Sequence, residues 1–344
     1  MKFKKLVAIS SAVVIASSML VGCSNQSSKS NSTEGKNIKV GMVADVGGVN
    51  DESFNQSAWE GLQQAEKDLG IEIKLIESKQ ASEYLSNMES LLDEDVDVVI
   101  GVGNTMKDDI KTEAENYPDK HFVIIDETYE NGIPENVTPI LFKANEAAYL
   151  TGLVAGKMTQ TNKVGFIGGM DFPVIQKFEY GYMAGVKEAN PSAEIKSQYA
   201  GTFGDAAKGK SIANQMYGNG VDVILSAAGG TGLGAIESAK EQNKYAIGVD
   251  RDQSDLSPEN VLTSALKKVN VGVYDTLKEF VEGKLTGGKE KVYGLKEDGV
   301  GIPESTKNLV PQEIIDYIDS MIEKIKNDEI KVPQDKTEYE AMKK

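Results

Sequence analysis

Ile38-Lys39-Val40-Gly41-Met42-Val43-Ala44-Asp45 opens the stretch whose reading decides the fold. This β-rich apolar run stops at a carboxylate. After a glycine-containing loop come Ser53-Phe54-Asn55-Gln56 and an apolar series at Ala58, Leu62, Ala65 and Leu69, closed by Gly70. Steps of three and four residues put that series on one helix face, and a glycine just past it is a common terminator. Ile71 to Ile76 then reads as a second strand. Strand, helix, strand is the repeating unit of a parallel sheet covered by helices.

The alternation continues down the chain. Val96 to Val102, Phe122 to Asp126, Lys163 to Ile167, Glu194 to Tyr199, Val221 to Ser226, Tyr245 to Asp250 and Val261 to Leu266 are further strand candidates, most of them separated by amphipathic segments. About three hundred residues follow Ile38, enough for two domains of ordinary size. The expected fold class is therefore α/β, with two similar lobes, each a parallel sheet flanked by helices, and a break near Leu141 to Tyr149.

The first residues read differently. Lys2, Lys4 and Lys5 precede an apolar run from Leu6 to Leu20, and Leu20-Val21-Gly22-Cys23 ends it at the only cysteine of the chain. This is the pattern of a lipoprotein signal peptide over residues 1–22, with Cys23 as the lipid-bearing (diacylglycerol and palmitate) residue. The run is shorter than an ordinary membrane span. Residues 23–37, rich in Ser and Asn, read as a flexible tether to the extracytoplasmic face of a cell membrane. A lone cysteine permits no intramolecular disulfide, so packing alone must stabilise the lobes. Loss of the three leader lysines would take the formal charge from −16 to −19. Such an acidic surface, with Arg251 as the only arginine, argues against nucleic acid as a partner.

In open parallel sheets, ligands bind beyond the C-terminal ends of the strands. Four strand ends stand out: Asp45 with the loop to Gln56, Asp126 after Phe122 to Ile125, Gly229-Gly230-Thr231-Gly232 after Val223 to Leu225, and Asp250 after Ile247 to Val249. Ser53 and Gln56 form an S-x-x-Q capping box, which would start a helix and place Phe54 and Asn55 on its first turn. Spacing leaves open whether Phe54 faces the cleft or begins the core stripe with Ala58. Asp45 and Asp51 can equally be loop carboxylates. Converging carboxylates suit acceptance from hydroxyls and amines.

Together, Asp45-x8-Phe54-Asn55, Tyr117-Pro118-Asp119 before the Asp126 strand, Tyr149-Leu150-Thr151-Gly152, Val164 to Gly169, Gly248-Val249-Asp250 and Thr263 to Lys267 resemble the basic membrane protein family. These are lipoprotein substrate-binding components of ABC importers, among them purine nucleoside receptors. The resemblance runs in unbroken order from Lys39 to about Leu295. It implies a type I periplasmic-binding fold with a three-segment hinge. The first lobe would take residues 38–143 plus about 267–295, the second 144–266 plus about 296–330, leaving 331–344 as a tail. By the motif match, Phe54 and Phe203 would stack on either face of a purine, with Phe178 the alternative ring in the second lobe. Asp45, Asn55 and Asp126 would bond polar atoms, Gly229 would offer backbone contact, and Asp250 with Lys267 would hold the ribose hydroxyls, Lys268 being adjacent. Asn104 stands where relatives usually carry an aromatic residue. The implied partners are a nucleoside and a permease, and the implied state is a monomer without cofactor or metal.

Other signals compete with this reading. Gly204 to Ser211 is a formal G-x-x-x-x-G-K-S match, but Asp205 followed by Ala206-Ala207-Lys208 reads more naturally as a helix N-cap. Gly229 to Gly234 lacks the dinucleotide spacing and suits a tight strand-to-helix turn. His121, the only histidine, is expected at the surface; with one cysteine it leaves no Cys/His metal cluster and no His-based triad. The enzyme alternative is a nucleoside-cleaving hydrolase using Asp45, Asp51 and Asp126. A receptor for another small aromatic or sugar-containing ligand is the third reading.

Overall fold

The computed structural model describes residues 37–342. Cys23, the leader and the tether up to residue 36 lie outside the described residues. The opening unit is as its pattern predicts. β1 (Lys39–Ala44) is buried along nearly its whole length, as a strand covered on both faces must be. α1 (Phe54–Leu69) buries Ala58, Leu62 and Ala65 and stops at Gly70, whose left-handed φ of 68° lets its N–H bond Glu66 O. β2 (Glu72–Glu77) then pairs parallel to β1.

The chain continues as α2 (Tyr84–Asp93), β3 (Val98–Val102), α3 (Lys107–Asn116), β4 (His121–Ile125) and β5 (Val137–Phe142), then α4 (Ala144–Met158). The second run is β6 (Lys163–Gly168), α5 (Pro173–Ala189), β7 (Glu194–Tyr199), α6 (Ala206–Gly218), β8 (Val223–Ala227), α7 (Gly230–Gln242), β9 (Tyr245–Asp250) and β10 (Val261–Lys267). α8 (Val269–Val281), β11 (Lys291–Tyr293), β12 (Val300–Gly301), α9 (Gln312–Lys326) and α10 (Lys336–Met342) complete it. The first sheet has the order β11-β5-β4-β3-β1-β2 and the second β12-β10-β9-β8-β6-β7. Strand for strand the orders correspond, the difference being that β12 is antiparallel to β10 while β11 is parallel to β5. The chain passes between sheets three times, after β5, after β10 and between β11 and β12.

β5 has no counterpart among the predicted strands. Its Pro139 argues against a strand, because proline cannot donate to a ladder. The register removes the objection. Ile140 O accepts from Asp126 N on the β4 side, so the neighbouring Pro139 turns its nitrogen the other way, where β11 begins only opposite Ile140. α4 is buried from Ala144 to Gly156 and lies against α5, where a Cβ on Gly185 would stand 2.0 Å from Tyr149 O. The Tyr149 to Gly152 motif thus serves helix packing. Residues 331–342 lie on the second lobe, with Tyr339 buried and its ring against Tyr180.

Among the described residues, no helix is long and apolar enough to cross a membrane.

Candidate functional site

Each sheet has a switch point, β1 flanked by β2 and β3 in one and β6 by β7 and β8 in the other. Crevices open where successive loops leave in opposite directions. The loops of both lobes meet around one cavity with about 60 Å³ of free interior. All eight residues singled out as ligand contacts line it: Asp45, Phe54, Asn55, Asp126, Phe203, Gly229, Asp250 and Lys267. Asp51, Asn104 and Phe178 line it too.

The first-lobe wall is a hydrogen-bonded acid network. Asp45 Oδ1 accepts from Gly47 N at 2.7 Å and Asn55 Nδ2 at 2.8 Å, while Asn55 Oδ1 accepts from Asp45 N at 3.0 Å. Asp51 does the work expected of Ser53. Its Oδ2 accepts from Asn55 N and Nδ2, and its Oδ1 from Ser53 N and Gln56 N, all at 2.9–3.1 Å. No capping box forms, because Ser53 has no capping bond and its Oγ donates to Asp250 Oδ2 in the other lobe. A carboxylate two residues earlier can accept four N–H bonds where a hydroxyl accepts one or two, so Asp51 wins the helix end. Burial raises the carboxyls of Asp45 and Asp51 above their ordinary range, against the hydrogen bonds that pull them down.

Asp126 and Asp250 occupy matching strand ends, and both have left-handed backbones, φ 65° and 63°. Between them stands Lys267, with Nζ 2.6 Å from Asp126 Oδ2 and 3.2 Å from Asp250 Oδ1. The ammonium also lies 4.1 Å from the centre of the Phe54 ring and 5.7 Å from that of Phe178. Burial by itself would push the lysine down, but the two carboxylates outweigh it and hold it above the ordinary value. Asp250 Oδ1 accepts no hydrogen bond in the described structure, although Lys267 faces it.

Apart from Asp250 and Lys267, the second-lobe wall is largely apolar: Val174, Ile175, Phe178, Phe203, Ala227 and Val249. Phe203 is half-buried and stacks on Phe172, ring centres 6.3 Å apart and planes 28° apart. Phe178 is 2% exposed, so its ring is part of the core as well as of the cavity wall. Gly229 begins α7 with φ 53° beside Phe203 O. The pair Phe172 and Ile175 has no signal in the sequence beyond an ordinary helix start.

Arg251, although next to Asp250 in sequence, points to Glu52 and Glu60. One expectation is corrected. His121 is half-buried and not at the surface: its Nε2 meets Thr138 Oγ1 at 3.0 Å, its ring lies against Phe280, and burial lowers it to about 4. The formal P-loop is a capped helix, Asp205 Oδ1 accepting from Lys208 N at 2.9 Å. Its Gly209 is there for packing, since a Cβ would stand 1.9 Å from Thr231 O, and Lys210 pairs with Glu237 and Glu241 on α7. Gly229 to Gly234 is a strand-to-helix turn.

Two lobes closed over a polar and aromatic cavity define the class of two-lobed solute-binding proteins. The chain belongs to the Bmp family, "ABC transporter substrate-binding protein PnrA-like", whose profile matches residues 38–336. It is 40% identical to the CD4+ T-cell-stimulating antigen of Listeria innocua, over 96% of this chain and 99% of that protein. It is 39% identical to the ABC transporter nucleoside-binding protein BmpA of Lactococcus lactis, over 93% of this chain and 98% of that one. Among solved structures, an ABC transporter solute-binding protein of Aeropyrum pernix aligns with a TM-score of 0.81 at 27% identity, covering 89% of this chain and 96% of that one.

Proposed function

We propose that this protein is a lipid-anchored extracytoplasmic receptor that binds a purine nucleoside between its lobes and delivers it to an ABC importer. The observation that carries the reading is the lining of the cavity: a phenyl ring from each lobe, Phe54 and Phe203, with carboxylates and an amide beside them and Lys267 between Asp126 and Asp250. A nucleoside has that chemistry, a flat apolar base with polar edges joined to a sugar rich in hydroxyls. The nucleoside-binding relative from Lactococcus lactis supports the same class of ligand. Phe54 and Phe203 hold the faces of the base; Asp45, Asn55 and Asp126 take its polar atoms from the first lobe. Gly229 adds a backbone contact, and Asp250 and Lys267 take the ribose hydroxyls. Stacking on each ring is worth about 1–3 kcal/mol. Cys23 carries the lipid, and the receptor acts as a monomer.

The hydrolase alternative needs a carboxylate free to move a proton or hold a metal. Asp45 and Asp51 are instead engaged with N–H groups and Asp126 with Lys267. Among the described residues, no group of three or more His, Cys, Asp or Glu side chains is placed to hold a metal ion. Incubation with inosine decides between the two. A receptor returns inosine intact after retaining it, and stoichiometric or catalytic release of hypoxanthine would establish the enzyme.

A further inference from the structure

Beside the cavity, a second set of contacts joins the lobes at Glu52 and Ser53, which follow Asp51. Asp51 caps α1 and fixes Asn55 within the first lobe. The next two residues are held by the second lobe. Arg251 Nη1 lies 2.6 Å from Glu52 Oε2, and Gln253 Nε2 donates to Glu52 O at 2.8 Å. Ser53 Oγ donates to Asp250. The other guanidinium arm, Arg251 Nη2, lies 2.9 Å from Glu60 Oε1 on α1. Glu52 is in the left-handed region, φ 52°, where a non-glycine residue is sparsely populated unless its surroundings hold it. Here both its carbonyl and its carboxylate are gripped from across the cleft.

Gln253 is a prepared partner. It is 4% exposed, its Oε1 accepts from Val249 N at 3.1 Å and its own N donates to Ser264 Oγ at 3.1 Å. These bonds lie within the second lobe alone. The contacts to Glu52 and Glu60 run from the second lobe to the first. None of Glu52, Glu60, Arg251 and Gln253 lines the cavity.

We propose that Arg251, with Glu52, Glu60 and Gln253, is a closure latch that sets the residence time of the ligand without touching it. The proposal rests on the reading that a ligand enters and leaves by opening of the lobes. Interactions formed only in the closed state shift the open–closed equilibrium toward it, and their loss appears in the release rate. Arg251 is the only arginine in the chain, and its forked guanidinium can take two carboxylates at once where an ammonium offers a point charge. The pairs are partly exposed, so salt weakens them.

The test is stopped-flow release, followed by the fluorescence of Trp59, which lies on α1 next to Glu60. Arg251→Met speeds release of guanosine and inosine by the same factor, roughly 3–30-fold for two partly exposed charge pairs, and leaves association within about twofold. Arg251→Lys falls between. Raising salt speeds release from the native protein and not from Arg251→Met. Unchanged release in Arg251→Met, or an effect that differs between the two nucleosides, overturns the latch. If the native protein retains neither nucleoside, the ligand assignment fails, and the latch is then read without ligand. Spin labels placed on the two lobes show the native protein at shorter separations than Arg251→Met, and identical distance distributions overturn the proposal.

Discussion

The two lobes share one strand order and differ in what they bring to the cavity. At the end of β1 the first lobe has Asp45, tied to Asn55 and thence to Asp51; at the end of β6 the second has Gly169, against which the Phe203 ring packs. After β3 stands Asn104; after β8, Gly229. The matching positions after β4 and at the end of β9 keep the same residue, Asp126 and Asp250, in the same left-handed backbone. One scaffold has therefore been furnished twice, once for polar atoms and once for an apolar face. The two aspartates that did not diverge face each other across Lys267. Where the lobes meet, Lys267 is a buried cation with one counter-charge from each lobe.

The largest effect should come from breaking that shared centre. Lys267→Met leaves Asp126 and Asp250 buried without their cation, and removing one partner of a buried pair costs about 3–5 kcal/mol. Urea unfolding should register this loss, and titration calorimetry should show binding abolished. A variant of native stability would mean that the carboxylates reach water, and that the lobes do not close on Lys267 in solution.

The second way to break the comparison separates the two rings of the apolar wall. Phe178 is buried in the core and Phe203 is half-buried. Phe178→Ala should cost about 3–5 kcal/mol of folding stability. Phe203→Ala should cost less stability and weaken nucleoside binding by about 1–3 kcal/mol, as loss of a stacking ring does. If the binding loss falls on Phe178→Ala and spares Phe203→Ala, the stacking role belongs to Phe178.

A smaller effect sharpens the difference between lobes, since the one histidine lies in the first. Burial holds His121 at about 4, below its unfolded value of 6.5. The fold favours the neutral ring, so this contribution is fully present above pH 6.5 and is lost as pH falls toward 4. The change is on the order of 1–3 kcal/mol at about 1.4 kcal/mol per unit. His121→Leu should flatten the drop in urea stability between pH 7 and pH 4.5, and an unchanged drop would assign it to carboxylates.

Much of this was legible in the chain. Alternation of apolar runs with amphipathic segments was enough for two α/β lobes, because parallel strands buried on both faces have little other composition available. The site residues were legible because they sit where strands end. What escaped was decided by competition in space. Nothing local says that Asp51 outbids Ser53 for the α1 terminus, since the outcome depends on Asp250 arriving from the other lobe to take the hydroxyl. Arg251 sits beside Asp250 in sequence, yet the turn after β9 sends it to Glu52 and Glu60. Pro139 is tolerated in β5 only because β11 begins opposite Ile140, which no local pattern signals.

The most direct test of a nucleoside held between two rings beside buried carboxylates is calorimetry of ligand-stripped protein with guanosine, 2′-deoxyguanosine and guanosine 5′-monophosphate. Asp45, Asp126 and Asp250 line the cavity against Lys267, so a phosphate would meet like charge in a low-dielectric cleft. Guanosine should bind tightest, the deoxynucleoside more weakly for want of a partner to Asp250 or Lys267, and the monophosphate weaker than guanosine by roughly tenfold or more. Equal or tighter binding of the monophosphate would contradict the account.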